Sequence, residues 1–433
     1  MGVGPVAVMA LVATDETCRL ATEVSHPIYM EHRLIQGIER ALEWSGAGRL
    51  GVSPKYGATN DLDLCSRLLT PSKLFDLVTR RSLEPPQLRF FRDGAELLPN
   101  AYLTTQPNRR QQVVRVADPQ KVSDLLHRGA TLVLDALDTF DPVLEVACRA
   151  LQWWAHELVQ VNAYLTTSNS RGFPLHWDDH DVLVLQVAGA KNWEVRGRSR
   201  ENPMFRDAAP NSVPSEDVLW SGCLNPGDVL HIPRGYWHQA HRDDLGNGYS
   251  LHLTFGIVKR TGVDWLSWLA DQSRNVEAFR RDLDRWGPSQ ERAAQRQELM
   301  DAAHQLLTNL PPEVFLDRRR HSQPPRATVQ FSPQTVEENN ELVCVCNFPP
   351  AFEEDGDLLK ILAAGKSITI RRKALQAARM LLDGAPVRLG DVRTQTGIDA
   401  VQLARVFLKE GLCRLLTPEL SLAFTDLVTP PRS

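Results

Sequence analysis

His176 and Asp178 stand two positions apart in the segment Gly172-Phe-Pro-Leu-His176-Trp-Asp178, which runs on into an alternating stretch at 182–187. On a strand, residues two apart share a face, so this imidazole and this carboxylate can point together into a barrel. They are two legs of a 2-His-1-carboxylate facial triad, the donor set that holds Fe(II) and leaves adjacent positions open. With 12 histidines in 433 residues the pair alone is weak evidence, and a third ligand must come from a distant strand. The segment Pro226-Gly227-Asp228, continuing through Pro233-Arg-Gly235 to His238, offers one, because two tight turns set up a strand that begins at His238. His231 lies before the Pro-Arg-Gly turn and reads as a core or rim side chain. His241 has parity opposite to His238 and should face outward. His252 shares a face with Ser250 and Thr254 and could line the pocket without binding metal. His238 is therefore the third candidate ligand.

Lys191 is a fourth element. The alternating run 182–187, a turn at Gly189 and a return through Trp193 suggest a hairpin that brings Lys191 beside the metal. A solvated hairpin lysine is the other reading. A buried ammonium needs a carboxylate partner, and a dicarboxylic cosubstrate chelating the iron at one end would supply it at the other. Asn162 and Tyr164 on the preceding strand, and Thr254, could donate the remaining hydrogen bonds.

These residues need a barrel to hold them. From 131 to 256 short period-two strands recur between Gly, Pro, Asn and Asp, the pattern of a sandwich or small barrel, with one helix at about 142–160. Earlier, 64–78 reads as helix and 87–91 as a strand before Asp93-Gly94. After Ile257 the strands stop. Val276, Phe279, Leu283 and Trp286 form an apolar helical stripe ended by Gly287-Pro288. A second helix is expected over 289–309, stopped by Pro311-Pro312, and 318–326 reads as a linker. Two helices cannot enclose a core, so they must pack on the barrel or on another subunit. Towards the C-terminus, helices are expected over 371–383, 389–395 and 399–410, with short strands at 413–416 and 420–424, which together make a winged-helix-like module.

Composition narrows the function classes. Lys+Arg total 49 against Asp+Glu 53, a net charge of -4, which argues against bulk binding to nucleic acid or an anionic membrane. No run of apolar residues is long enough to span a bilayer. The apolar opening MGVGPVAVMALVA lacks the basic residues of a secretory leader, and the 7 cysteines are scattered with no CxxC pair, so a reducing cytoplasm is expected.

The joint order of motifs is far more specific than any one of them. Asn162-Ala-Tyr164, His176-Trp-Asp178, the stretch from Gln186 to Trp193, the stretch from Pro226 to Ala240, and Ser250-Leu-His252-Leu-Thr254 together resemble the JmjC/cupin-type ribosomal oxygenases, over about residues 85–257. The resemblance implies an α+β chain. It would have a double-stranded β-helix (the cupin/JmjC jelly roll) with an N-terminal α/β extension over 1–258, a helical dimerisation region over 259–325 and a winged-helix-like domain over 326–433. It implies Fe(II) held by His176, Asp178 and His238. It implies 2-oxoglutarate held by Lys191 with help from Tyr164 and Thr254, with Asn162 and His252 beside it. It further implies O2 as co-oxidant, a homodimer through 260–310, and hydroxylation of an Arg or His side chain in a protein or peptide, ribosomal proteins being the family's substrates. The winged-helix-like module in this family is not generally a DNA reader; residues 369–433 carry ten Lys/Arg and six Asp/Glu, too few for a basic stripe. The first ~50 residues depart from the family's aromatic-rich opening, with His26-Pro27-Ile28-Tyr29 the nearest remnant, and Trp177 and His180 are bulky near the mouth. A hydroxylase of a biosynthetic peptide or small molecule would show the same metal site. A non-catalytic cupin/winged-helix regulator would need no complete triad.

Overall fold

The computed structural model describes residues 30–107, 109–167, 173–204, 213–243, 245–246, 248–325 and 335–429. The apolar N-terminal run and the segment 26–29 lie outside them, as does part of the segment 318–326.

Two antiparallel sheets build the double-stranded β-helix. The larger runs in the order Lys55–Ala58, Asp228–Ile232, Asp181–Gly189, Tyr249–Ile257, Val159–Thr167, Thr131–Leu134, Leu88–Arg92, Ala95–Glu96. The smaller runs Val218–Leu224, Lys191–Arg198, Tyr236–His241. Period-two alternation decides which face of each central strand meets what. Val161, Ala163 and Leu165, with Leu251, Leu253 and Phe255 on the neighbouring strand, are buried in the main hydrophobic core. Their alternates, Asn162, Tyr164, His252 and Thr254, face the space between the sheets.

The core side is closed by the helix Pro142–Ala155, which starts where the Asp141 carboxylate accepts from the backbone N–H groups of Val143 and Leu144 and Pro142 takes the first helical position. Its last residue is Ala155, five before the expected 160, and His156 caps it in the left-handed conformation, because the chain must already turn into the strand at Val159. The expected helix 64–78 is two helices, Leu62–Leu68 and Pro71–Arg80, since Thr70-Pro71 restarts it with a new cap.

Beyond the barrel the order of helices differs from expectation. A helix Gly262–Ser273, opened by a reciprocal Thr261–Asp264 capping box, was not anticipated. The stripe 276–286 is helical only over Glu277–Arg280; Asp284 Oδ1 instead accepts from the N–H groups of Trp286 and Gly287, a local turn that competes with helix. Leu283 and Trp286 are left 76% and 88% exposed. Ser289–Asn309 is helical as expected. Pro312 starts a further helix, Pro312–Ser322, because proline suits the first helical position, so Arg318, Arg319 and Arg320 lie on a helix and not in a linker.

At the C-terminal end, helices Leu375–Leu381, Leu389–Thr396 and Ala400–Lys409 pack with a sheet of Val387–Arg388, Glu341–Cys344 and Cys413–Leu415. The expected helix 371–383 is shorter, beginning with a 3-10 turn at Arg372–Ala374. The expected strand 420–424 is not one: Thr417 caps the helix Pro418–Ser421. A second sheet, Ala351–Asp355, Leu358–Ala363 and Lys366–Arg371, was not foreseen. No helix among the described residues is long and apolar enough to cross a membrane.

Candidate active site

His238 sits within the strand Tyr236–His241, just after a bulge that turns its side chain inward. His176 and Asp178 lie outside any regular strand, on the approach to Asp181–Gly189, and not on the strand expected for them. What fixes them is a two-residue bridge. The His176 N–H donates to the His238 carbonyl at 3.1 Å and the His238 N–H donates back at 2.7 Å. The Asp178 carbonyl in turn accepts from Gly235 N–H at 2.9 Å.

One ligand atom from each of His176, Asp178 and His238 falls within 4.8 Å of the others. The imidazoles are already oriented. His176 Nδ1 lies 2.8 Å from the Pro174 carbonyl and His238 Nδ1 3.0 Å from the Tyr236 carbonyl, so each ring turns Nε2 towards the cluster. His238 Nε2 is 3.5 Å from Asp178 Oδ2. Burial, and then the neighbouring His176, push the His238 pKa down to about 4, so it is neutral at physiological pH, the form that ligates metal. Two imidazoles and a carboxylate with their outer hydrogen bonds made are a donor set fitted to a divalent first-row ion.

The cluster opens into a cavity of about 280 Å³ that also takes in Lys191, Tyr164, Asn162, His252 and Thr254. Lys191 does not reach it from a hairpin. Its strand belongs to the smaller sheet and Asp181–Gly189 to the larger, so Gly189 turns the chain from one sheet to the other. Lys191 is 3% exposed, and its ammonium donates to Thr166 Oγ1 at 3.3 Å. Burial, and then the Arg242 guanidinium, push its pKa down to about 7. The ring of Tyr164 stacks on His252 with centroids 5.0 Å apart. Burial raises the Tyr164 pKa, keeping the phenol a neutral donor. His252 is held neutral by burial and by Lys191, and its buried Nδ1 has no hydrogen-bond partner among the described residues. Asn162 Oδ1 is committed to the backbone N–H of Ala136 at 3.0 Å.

His231 and His241 stand apart from the cluster. His231 is buried against Trp44 with Nδ1 3.0 Å from the Ser53 carbonyl, and His241 is half-buried beside Asp243. His180 lines the cavity; Trp177 is buried. Thr166, Gln160, Arg89, Phe173 and Arg242 were not singled out from sequence. Strand parity with Asn162 and Tyr164 marks Gln160 and Thr166, whereas Arg89 comes from a distant strand with no local signal.

Residues 140–263 match the family model of the JmjC domain. The chain is 35% identical over 152 residues to the bifunctional lysine-specific demethylase and histidyl-hydroxylase NO66 of Caenorhabditis briggsae, a match covering 34% of this chain and 19% of that protein. It is 36% identical over 178 residues to ribosomal oxygenase 1 of Rattus norvegicus, covering 39% and 29%. The matched region thus spans less than a third of either relative. Among solved structures, the ribosomal oxygenase YcfD of Escherichia coli, in complex with cobalt and 2-oxoglutarate, aligns with a TM-score of 0.53 at 16% identity, over 85% of this chain and 96% of that one. That likeness establishes the shared fold.

Proposed function

We infer that this chain, whose residues 140–263 match the JmjC domain model, is an Fe(II)- and 2-oxoglutarate-dependent dioxygenase that hydroxylates an amino-acid side chain of a protein. The observation that carries the reading is the convergence of His176, Asp178 and His238 within 4.8 Å, in the same cavity as a buried lysine. His176, Asp178 and His238 would hold the iron. Bound there, Fe(II) supplies the coupling of 2-oxoglutarate decarboxylation to insertion of an oxygen atom from O2 into an unactivated C–H bond.

The chain's own residues supply position. Lys191 anchors the far carboxylate of 2-oxoglutarate, and that carboxylate gives the desolvated ammonium the counter-charge it lacks. Tyr164 and Thr254 donate hydrogen bonds, while Asn162, tied to Ala136, and His252, stacked on Tyr164, keep the wall in place. Phe173 and His180 complete the lining of the same cavity.

The names of the relatives, histidyl-hydroxylase and ribosomal oxygenase, support an Arg or His side chain of a ribosomal protein as substrate. We divide the chain into a catalytic unit over 1–258, a helical unit over 259–325 that pairs two copies, and a winged-helix-like unit over 326–433. In the last, three helices lie against a three-stranded sheet, with too little positive charge for a nucleic-acid reader. Among the described residues six cysteines are free, five of them buried, which favours a reducing compartment, and we assign the cytoplasm.

Anaerobic addition of Fe(II) and 2-oxoglutarate should give a weak visible charge-transfer band that His176→Ala abolishes. Mass spectrometry of ribosomal proteins and peptides from cells with and without the gene should then show a gain of one oxygen atom. A wild-type protein with no band and no succinate release with any candidate substrate would overturn the reading.

A further inference from the structure

A second cavity, of about 130 Å³, shares the His180 ring with the metal-centre cavity as a common wall. Its lining sets four cations, Arg198, Arg234, Lys259 and Arg260, against two carboxylates, Asp179 and Asp181. The acids do not neutralise the set. Asp179 faces His180 Nδ1 at 3.2 Å, and Asp181 spends Oδ1 on the backbone N–H of Arg234 at 2.8 Å. Arg198 and Arg260 have outside partners, Glu201 at 2.9 Å and Asp264 at 3.4 Å. Arg234 and Lys259 have no carboxylate in ion-pair contact among the described residues. Arg234 reaches Asn202 Oδ1 at 3.4 Å and Lys259 the Leu50 carbonyl at 3.0 Å.

Among the described residues, two buried atoms of this lining have no hydrogen-bond partner, Asp181 Oδ2, on a residue 2% exposed, and Arg260 Nε. A buried donor and a buried acceptor left unmade are costly, so an occupant that satisfies both is favoured. Such an occupant brings an anionic acceptor for the cations and a hydrogen-bond donor for Asp181. An acidic residue of a peptide has both, a side-chain carboxylate and backbone N–H groups. A free carboxylate has only the first. Gly51, at φ +79°, borders the space: a Cβ there would stand 3.2 Å from Lys259 Nζ and 3.4 Å from Asp181 Oδ2, so glycine keeps these two groups unobstructed.

We propose that this side cavity is a substrate-recognition subsite, taking the carboxylate of an acidic residue that flanks the side chain presented to the metal centre. The proposal rests on the oxygenase reading for its meaning but on different residues for its binding. Arg234 and Lys259 give the carboxylate its charge-assisted bonds, Asp181 accepts from its backbone amide, and His180 separates the flank from the reacting position.

The test is a titration of the full chain, held under nitrogen with Mn(II) and 2-oxoglutarate, with three probes: N-acetyl-glutamate N-methylamide, its glutamine counterpart, and acetate. Calorimetry should show saturable binding of the glutamyl probe, with the glutaminyl probe and acetate at least about tenfold weaker. Lys259→Gln, at an exposed side chain, and Arg234→Gln should each weaken the glutamyl probe by a similar factor while leaving the thermal midpoint in place. Equal affinity for the two amides, or unchanged affinity in both variants, overturns the subsite. Acetate binding as tightly as the glutamyl probe makes it a free-anion site and overturns the substrate assignment. Mn(II) binding is read separately from its water-proton relaxation, so failure of the metal site is distinguishable from failure of the subsite.

Discussion

His176 and His238 are joined by reciprocal backbone hydrogen bonds of 3.1 and 2.7 Å, and their rings lie with centroids 4.4 Å apart. The spacing of the two imidazoles is therefore fixed by main chain, before any metal arrives. His176, though outside a regular strand, is registered against one by this bridge. A pair of imidazoles held this way needs no rearrangement to act as the proposed ligands, which is the preorganisation that metal sites require.

Removing one ring should leave the bridge and lose the ion. In His238→Ala the backbone pairing persists, so the far-ultraviolet spectrum is unchanged. Mn(II) affinity by water-proton relaxation falls by more than the roughly 100-fold that loss of an outer partner can cost. Affinity within a few-fold of wild type would exclude His238 as a ligand.

The proposed contact of Lys191 with the cosubstrate carries a pH signature. Its free-state pKa is pushed down to about 7 by burial and then by Arg242. A carboxylate placed beside it favours the charged form and raises that value. Above neutrality the free chain carries Lys191 largely unprotonated and the complex carries it protonated, so binding takes up a proton and weakens as pH rises. Calorimetry near pH 8 in buffers of different ionisation enthalpy should show this uptake, about a unit above the free-state midpoint. Binding with no proton uptake there would remove Lys191 from the cosubstrate contacts.

Lys191→Met separates function from stability. It removes a desolvated ammonium whose one hydrogen bond among the described residues is to Thr166 Oγ1, so the thermal midpoint should rise by a few degrees, equivalent to about 1 kcal/mol. The KM for 2-oxoglutarate should rise at least about tenfold through loss of a charge-assisted bond. A stable variant with unchanged KM would argue for a purely structural lysine.

The turn between the sheets is equally exposed to test. Gly189 has φ +62°, and a Cβ there would fall 1.8 Å from the Tyr249 carbonyl, the same oxygen that accepts from Arg242 at 2.8 Å. Gly189→Ala should cost about 3 kcal/mol or more, from left-handed strain together with overpacking, read as a lowered denaturant midpoint. A loss under about 0.5 kcal/mol would show that the corner can move.

The proposed pairing of two copies rests on apolar side chains that the helical unit leaves exposed. The helix Ser289–Asn309 buries none of its residues, and Met300, Leu283 and Trp286 are 62%, 76% and 88% exposed. Light scattering should give twice the 48.6 kDa chain mass, and Trp286→Asp with Met300→Asp should halve it. A wild-type monomer would sink the pairing.

Much of this was legible in the chain. Asn162, Tyr164, His252 and Thr254 share a cavity because parity along two paired strands puts them there, and parity is a local property. The helix Ser289–Asn309 and the cap Asp399 on Ala400–Lys409 followed from local signals of the same kind. The stripe 276–286 misled because its period was right while a single Asp284 turn took the backbone N–H groups the helix needed. Pro311-Pro312 misled because proline opens a helix as readily as it closes one.

By itself the sequence determined which residue types stand where and which face of each strand they occupy, since residue type and a two-residue period are written along the chain. Only the tertiary structure decided that Gly189 hands the chain from one sheet to the other, that a bridge holds His176 to His238, and that Arg89, Arg198, Arg234 and Lys259 gather around two neighbouring cavities. The reason is physical. Strand pairing across long loops and the burial of charge are set by which distant surfaces close on one another, and no local pattern encodes that closure.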